Sequence, residues 1–270
     1  MKRLCSAALV AATFIVISSG FSFAHKASLA EHEKIAKEKI IKFLSTDFDE
    51  KELEAIFKDE RLVLDQTVAK KGMTGTSFNY FGPEFQLLAD NSLQRGFDYL
   101  AANKDIFDKV FEEYGVEPEF IVAILRIETD FGMFTGKRPV INSLYSWYVL
   151  SPRRRSWALK ELKAFLKIAK ENQFDVFSVN GSTAGAFGLP QFLPSSYLRF
   201  GVDENKDGKV DLFSEADAIA SVANYLKNHG WGKSEKNKRS AIYGYNHSQK
   251  YVDAVVAYAK ELKKKTNSKK

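Results

Sequence analysis

The stretch "EPEFIVAILRIETDFGMFTGK", residues 117–137, decides how this chain is read. Pro118 stands where a first helical turn tolerates a missing amide. Phe120, Ile121, Ile124, Leu125 and Ile127 then recur at helical spacing and make a broad apolar surface. Glu128 follows Ile121 by seven residues and Ile124 by four, so it projects from that same surface, and Gly132 marks where the helix should stop. Desolvation by apolar neighbours and the negative end of the helix dipole both push a carboxylate's pKa upward. Both favour the protonated form, which a general acid needs. A capped or salt-bridged glutamate is the plainer alternative.

Outward from this helix the periodicity stays helical. Residues 29–43 are highly charged with apolar residues at Ile35, Ile40, Ile41 and Leu44, which predicts an amphipathic helix. Gly72, Gly75 and Gly82 mark loops. From Pro83 onward Phe85, Leu88, Leu93, Phe97, Leu100, Ile106, Val110 and Phe111 carry an apolar face. No alternating run is long enough for a confident strand, and Gly, Pro and Asn punctuation separates periodic segments to the end of the chain. The expected class is mainly α.

The first 24 residues carry Lys2 and Arg3, an apolar run from Ala7 to Ile17, and small residues ending at Ala24. This is the pattern of a secretory signal peptide cut after Ala24, because the run is shorter than the ~20 residues of a membrane span. The one cysteine, Cys5, precedes the apolar run, so a lipoprotein is not expected and the mature chain has no thiol. The chain is then periplasmic or exported, without a stable membrane span. The formal charge of +6 resides at the ends: Lys2 and Arg3 at one, and six lysines against Glu261 in the tail 260–270 at the other. The body between them is close to neutral, which excludes the basic folded face of a nucleic-acid binder.

Four segments resemble, in order and spacing, the membrane-bound lytic transglycosylase B family. They are "VAILRIETDFGMFTGK", "SPRR" with "ELKAFLKIA", "GSTAGAFGLPQFLPSSYLRFGVDENKDGKVDLFSEADAIASVANYLKNHGW", and "YGYNHSQKYVDAVVAYA". The resemblance runs from about Tyr114 to Tyr258 and implies a lysozyme-like core over 111–259. Before it lie the signal peptide 1–24 and a helical region 25–110; after it comes the basic tail 260–270. It also implies cleavage of peptidoglycan glycan strands between N-acetylmuramic acid and N-acetylglucosamine, leaving 1,6-anhydro ends. Glu128 matches the family's catalytic position, acting first as acid and then as base. Ser182 and Gln191 are expected to line the cleft, and Tyr245 with Asn246 to face the acid and orient an acetamido group. Tyr197, with Tyr145, Trp147 and Phe187, supplies aromatic faces that could stack on sugars. Ser151 stands where relatives commonly carry tyrosine, losing one aromatic ring.

"DENKDGKVDLFSE" places Asp203, Asn205, Asp207, Gly208 and Asp211 at positions one, three, five, six and nine of an EF-hand-like loop, with the Lys209 carbonyl at seven. Position twelve is Ser214, which cannot give a bidentate carboxylate, and Glu215 falls one residue late. The expectation is a structural calcium ion of weakened affinity, with no cofactor for catalysis; an Asp/Asn-rich turn held by its own side chains is the alternative. Two rival functions stay open. A lysozyme-type hydrolase needs a second carboxylate, for which Asp130 is nearest in sequence, and a glycan-binding protein without catalysis needs none.

Overall fold

The computed structural model describes residues 29–68 and 78–268. The expected signal peptide, Gly72 and Gly75, and the last two lysines lie outside the described residues. The described residues form two compact units divided between Leu62 and Val63, so residues 78–110 group with the larger unit. Each is described by itself.

The smaller unit contains helix α1, described over residues 29–44, and α2 over Glu50–Lys58. Ile40 and Leu44 of α1 are buried as the periodicity predicts, whereas Ile35 is exposed. Asp49 opens α2 by accepting a hydrogen bond from the Glu52 amide, satisfying one free N–H of the first turn.

Among its described residues the larger unit is mostly helical, with one short ladder and two isolated β-bridges. Its helices are α3 (Asp90–Ala102), α4 (Lys104–Tyr114), α5 (Pro118–Thr129), α6 (Val140–Leu150), α7 (Arg155–Asn172), α8 (Pro194–Phe200), α9 (Glu215–Asn228), α10 (Glu235–Tyr245) and α11 (Gln249–Ser268). The single apolar face anticipated for 85–111 is divided by Asn103 between α3 and α4. Leu88 and Phe111, counted in that face, are exposed. Gly115 ends α4 in the left-handed conformation, and Pro118 starts α5 at its first turn.

Helix α5 is the centre of the core. Ile121 through Leu125 are fully buried, and α11 and α3 both pack on it. Contact between α3 and α11 depends on Gly96: a Cβ there would lie 2.3 Å from the Tyr258 hydroxyl oxygen. That hydroxyl instead donates to the Ser92 carbonyl at 2.7 Å. A second layer is built by α6 against α7 and α7 against α8. The strands β1 (Arg138–Pro139) and β2 (Asn180–Gly181) pair antiparallel with Arg138 opposite Gly181. Gly136, just before β1, has φ +107°, and a Cβ on it would lie 2.0 Å from the Gly181 carbonyl oxygen. No other residue type fits there, so the ladder and the loop 130–137 lie flush against each other.

Candidate active site

Helix α5 stops one residue after Glu128 because the backbone turns left-handed at Asp130 and Phe131, with φ of 49° and 60°. Neither is glycine, so each conformation costs energy and has to be held by its surroundings. Arg95 from α3 donates to both Asp130 carboxylate oxygens at 3.1 Å, and the buried Arg126 ion-pairs with it at 3.2 Å. The Phe131 ring stacks on Tyr99 with centroids 4.7 Å apart. The sequence puts Glu128 one residue before the helix end, as observed, with Gly132 just beyond the stop; part of the pairing that holds the turn comes from another helix.

Glu128 is half-buried and lines a cavity of about 420 Å³ together with Phe85, Asn91, Arg95, Asp130 and Phe134. Burial pushes its carboxyl up to about 7, opposed by a hydrogen bond that the Tyr251 hydroxyl donates to Oε1 at 2.7 Å. No arginine or lysine pairs with Glu128 among the described ion pairs, whereas Asp130 two residues on has two. Tyr251 is buried at the start of α11, stacked parallel to Tyr245 at 6.3 Å and edge-on to Tyr80 at 6.0 Å. Burial, and secondarily the Glu128 charge, pushes Tyr80 up to about 12 and Tyr245 and Tyr251 well above the usual phenol range. All three phenols are therefore protonated wherever Glu128 titrates, and Tyr251 is a permanent donor to its carboxylate. One carboxyl that exchanges a proton near neutrality, open to a groove and oriented by a fixed phenol, is suited to both giving and taking a proton.

The other residues singled out in the sequence are distributed differently. The Tyr245 hydroxyl donates to the Pro190 carbonyl at 2.5 Å, which fastens α10 to the glycine-rich turn. Asn246, half-buried, follows as the C-cap of α10. The Gln191 amide donates to the carbonyls of Thr135 and Gly188, at 3.1 and 3.0 Å, and its backbone is left-handed. Ser182 accepts from the Ala184 and Ala186 amides, holding its own turn. Tyr197 is buried, donates to the Val210 carbonyl at 2.7 Å and lines a separate cavity beside Val210 and Leu212. Tyr145, Trp147 and Phe187 are also buried core residues, so their rings are not open platforms. Tyr80 and Arg95 had no sequence signal, and Tyr251 only its place in the same Tyr-rich segment as Tyr245; Asp130 was a candidate second carboxylate, and its i,i+4 spacing from Arg126 is a local signal of the ion pair.

In the 203–215 loop, Asp203 accepts from the amides of Asp207 and Gly208, and Asn205 from that of Asp207. A residue that sequence reading missed, fully buried Asp217, accepts from Glu204 at 2.9 Å and Asp211 at 2.7 Å and so ties both sides of the loop to α9. Ser214 is the N-cap residue of α9, and Glu215, its first residue, is exposed. Among the described residues no three acidic, histidine or cysteine side chains gather closely enough to hold a metal by themselves. Any ion here leans on Asn205 and backbone carbonyls as well.

A helical core thus presents a half-buried glutamate, Glu128, in an open groove that Glu84 and Asp130 also line. A family model described as the transglycosylase SLT domain matches residues 31–241. The chain belongs to that family, and the expected mainly α, lysozyme-like architecture holds. Membrane-bound lytic murein transglycosylase B of Escherichia coli (strain K12) is 35% identical over 170 residues, covering 63% of this chain and 47% of the relative, so the match spans about half of that protein's length. Soluble lytic transglycosylase SltB1 from Pseudomonas aeruginosa superposes with a TM-score of 0.79 at 26% identity, over 86% of this chain and 99% of that one. An Escherichia coli lytic transglycosylase solved in complex with calcium gives 0.76 at 26% identity, over 84% and 92%.

Proposed function

We propose that this protein is a lytic transglycosylase that cleaves the bond between N-acetylmuramic acid and N-acetylglucosamine in peptidoglycan, with Glu128 as its acid and then its base. The observation that carries the reading is a glutamate held near pKa 7, in a groove, with a phenol rather than a cation on its carboxyl. In the first step the protonated carboxyl gives its proton to the glycosidic oxygen as the bond to the anomeric carbon breaks. The carboxylate that results, steadied by Tyr251, takes the proton of the muramyl 6-hydroxyl while that oxygen attacks the anomeric carbon. The bond that closes is the 1,6-anhydro bridge, and Glu128 ends protonated as it began. Both proton transfers pass through one side chain, and no water or metal enters the balance.

The hydrolase alternative asks Asp130 to handle water or a nucleophile. Its carboxylate is instead engaged by two arginines, which supports a structural role. The names of the two relatives from Escherichia coli (strain K12) and Pseudomonas aeruginosa support the choice, as both are called lytic transglycosylases. Replacing Glu128 with Gln is expected to abolish release of soluble fragments from purified sacculi. Release at the wild-type rate from a folded Glu128→Gln protein would return Glu128 to the capped-helix reading.

We further propose that loop 203–215 binds a structural calcium ion weakly, through Asp203, Asn205, Asp207, the Lys209 carbonyl and Asp211. The fit is partial: the loop's carboxylates already converge on its own amides, and Ser214 offers no bidentate carboxylate where position twelve calls for one. Glu215 stands outside this set at the helix start. A peptidoglycan substrate supports the reading of a periplasmic or exported protein with its signal peptide cut near Ala24; among the described residues no helix is long and apolar enough to cross a membrane.

A further inference from the structure

The loop between α5 and β1 is held at nearly every residue. The Thr129 hydroxyl donates to the Leu189 carbonyl at 2.9 Å and accepts from the Gly132 amide at 3.1 Å. The Phe134 amide donates to the Thr129 carbonyl at 2.9 Å, Gln191 clamps the Thr135 carbonyl, and Gly136 abuts Gly181. From this fixed loop two large apolar side chains point outward, Met133 at 66% exposure and Phe134 at 67%. Exposing an aromatic ring costs hydrophobic free energy, and a rigid loop offers no way to tuck it in. Only one of the two, Phe134, lines the cavity that holds Glu128. A pyranose has apolar C–H faces that match such a ring, and the backbone that carries the ring is already held, so little loop ordering is needed on binding.

We propose that Phe134 is a stacking platform for one sugar ring of the bound glycan, setting affinity for the strand rather than the proton transfer. This rests on the glycan-cleaving reading given above. The test uses the Glu128→Gln protein, which leaves the strand uncut, and calorimetric titration with purified, peptide-free glycan strands. Adding Phe134→Ala is expected to weaken binding about tenfold, the weight of one aromatic contact of ~1.4 kcal/mol. Phe134→Trp restores it, and Met133→Ala, on the same loop but outside the cavity, leaves it within about twofold. Thermal melting checks folding and should not move, because the Phe134 ring is not part of the core. Undiminished binding in Phe134→Ala, or an equal loss in Met133→Ala, overturns the platform and leaves the Glu128 reading standing. A Glu128→Gln protein that melts normally and binds no glycan at all overturns both.

Discussion

Replacing Glu128 with Gln should stabilise the folded protein at alkaline pH and leave it nearly unchanged in acid. The carboxyl has an ordinary value of 4.5 and is pushed by burial to about 7 in the fold. Below pH 4.5 both folded and unfolded chains carry the proton, and the glutamate costs nothing. Between the two values the folded state binds a proton that the unfolded state has lost, so stability falls as pH rises. Above 7 the penalty is complete. The difference between 4.5 and about 7 corresponds to at most ~3 kcal/mol, less in practice because the half-buried carboxyl keeps some water. Gln has nearly the same shape, carries no charge, and its carbonyl still accepts from Tyr251. Urea melts of both proteins at pH 4 and pH 8 measure the effect. Equal stability differences at the two pH values would refute the reasoning, since they would mean that Glu128 is not desolvated.

Tyr251→Phe removes the one described hydrogen bond that favours the Glu128 carboxylate, so its pKa rises further. A bond to a charged group is worth about 1.5–3 kcal/mol, and the falling limb of the pH–rate profile for sacculus digestion should move up by roughly one to two units; an unmoved limb would separate Tyr251 from the acid. Asp130→Ala leaves the buried Arg126 without its carboxylate while a left-handed turn must still form, and urea melts should show a loss of about 3 kcal/mol. Stability within a few tenths of wild type would show that the ion pairs do not hold the turn. Calcium in millimolar amounts should raise the melting temperature, and Asp203→Ala should remove the rise; a wild-type melt indifferent to both calcium and chelator would remove the ion from loop 203–215.

Helix α5 was legible because its evidence is local: Pro118 at the first turn, five apolar residues at helical spacing, and a carboxylate on the same face. The same kind of evidence ended the helix just after Glu128 but did not show what holds the turn: Arg95, which lies 35 residues away, engages Asp130 in a conformation that its own sequence disfavours. Gln191 shows the limit from the other side. Its amide suits a sugar, and it also suits two backbone carbonyls, and only the fold shows that its N–H donors go to Thr135 and Gly188. Asp217 reads in sequence as an ordinary acidic residue of a helix's first turn. Its burial and its role in closing the 203–211 loop arise from packing between α9 and that loop, which no spacing encodes. Tyr251 was missed for a related reason, since a tyrosine at a helix start looks like any core aromatic until the acid it faces is known.

The most direct measurement is the mass of the fragments released from purified sacculi by the wild-type protein. Anhydro-ended muropeptides, one water lighter than their reducing counterparts, are expected from a single glutamate that returns the proton to itself. Fragments ending in reducing sugars would show that water enters the reaction, and the one-carboxyl account of this groove would be wrong.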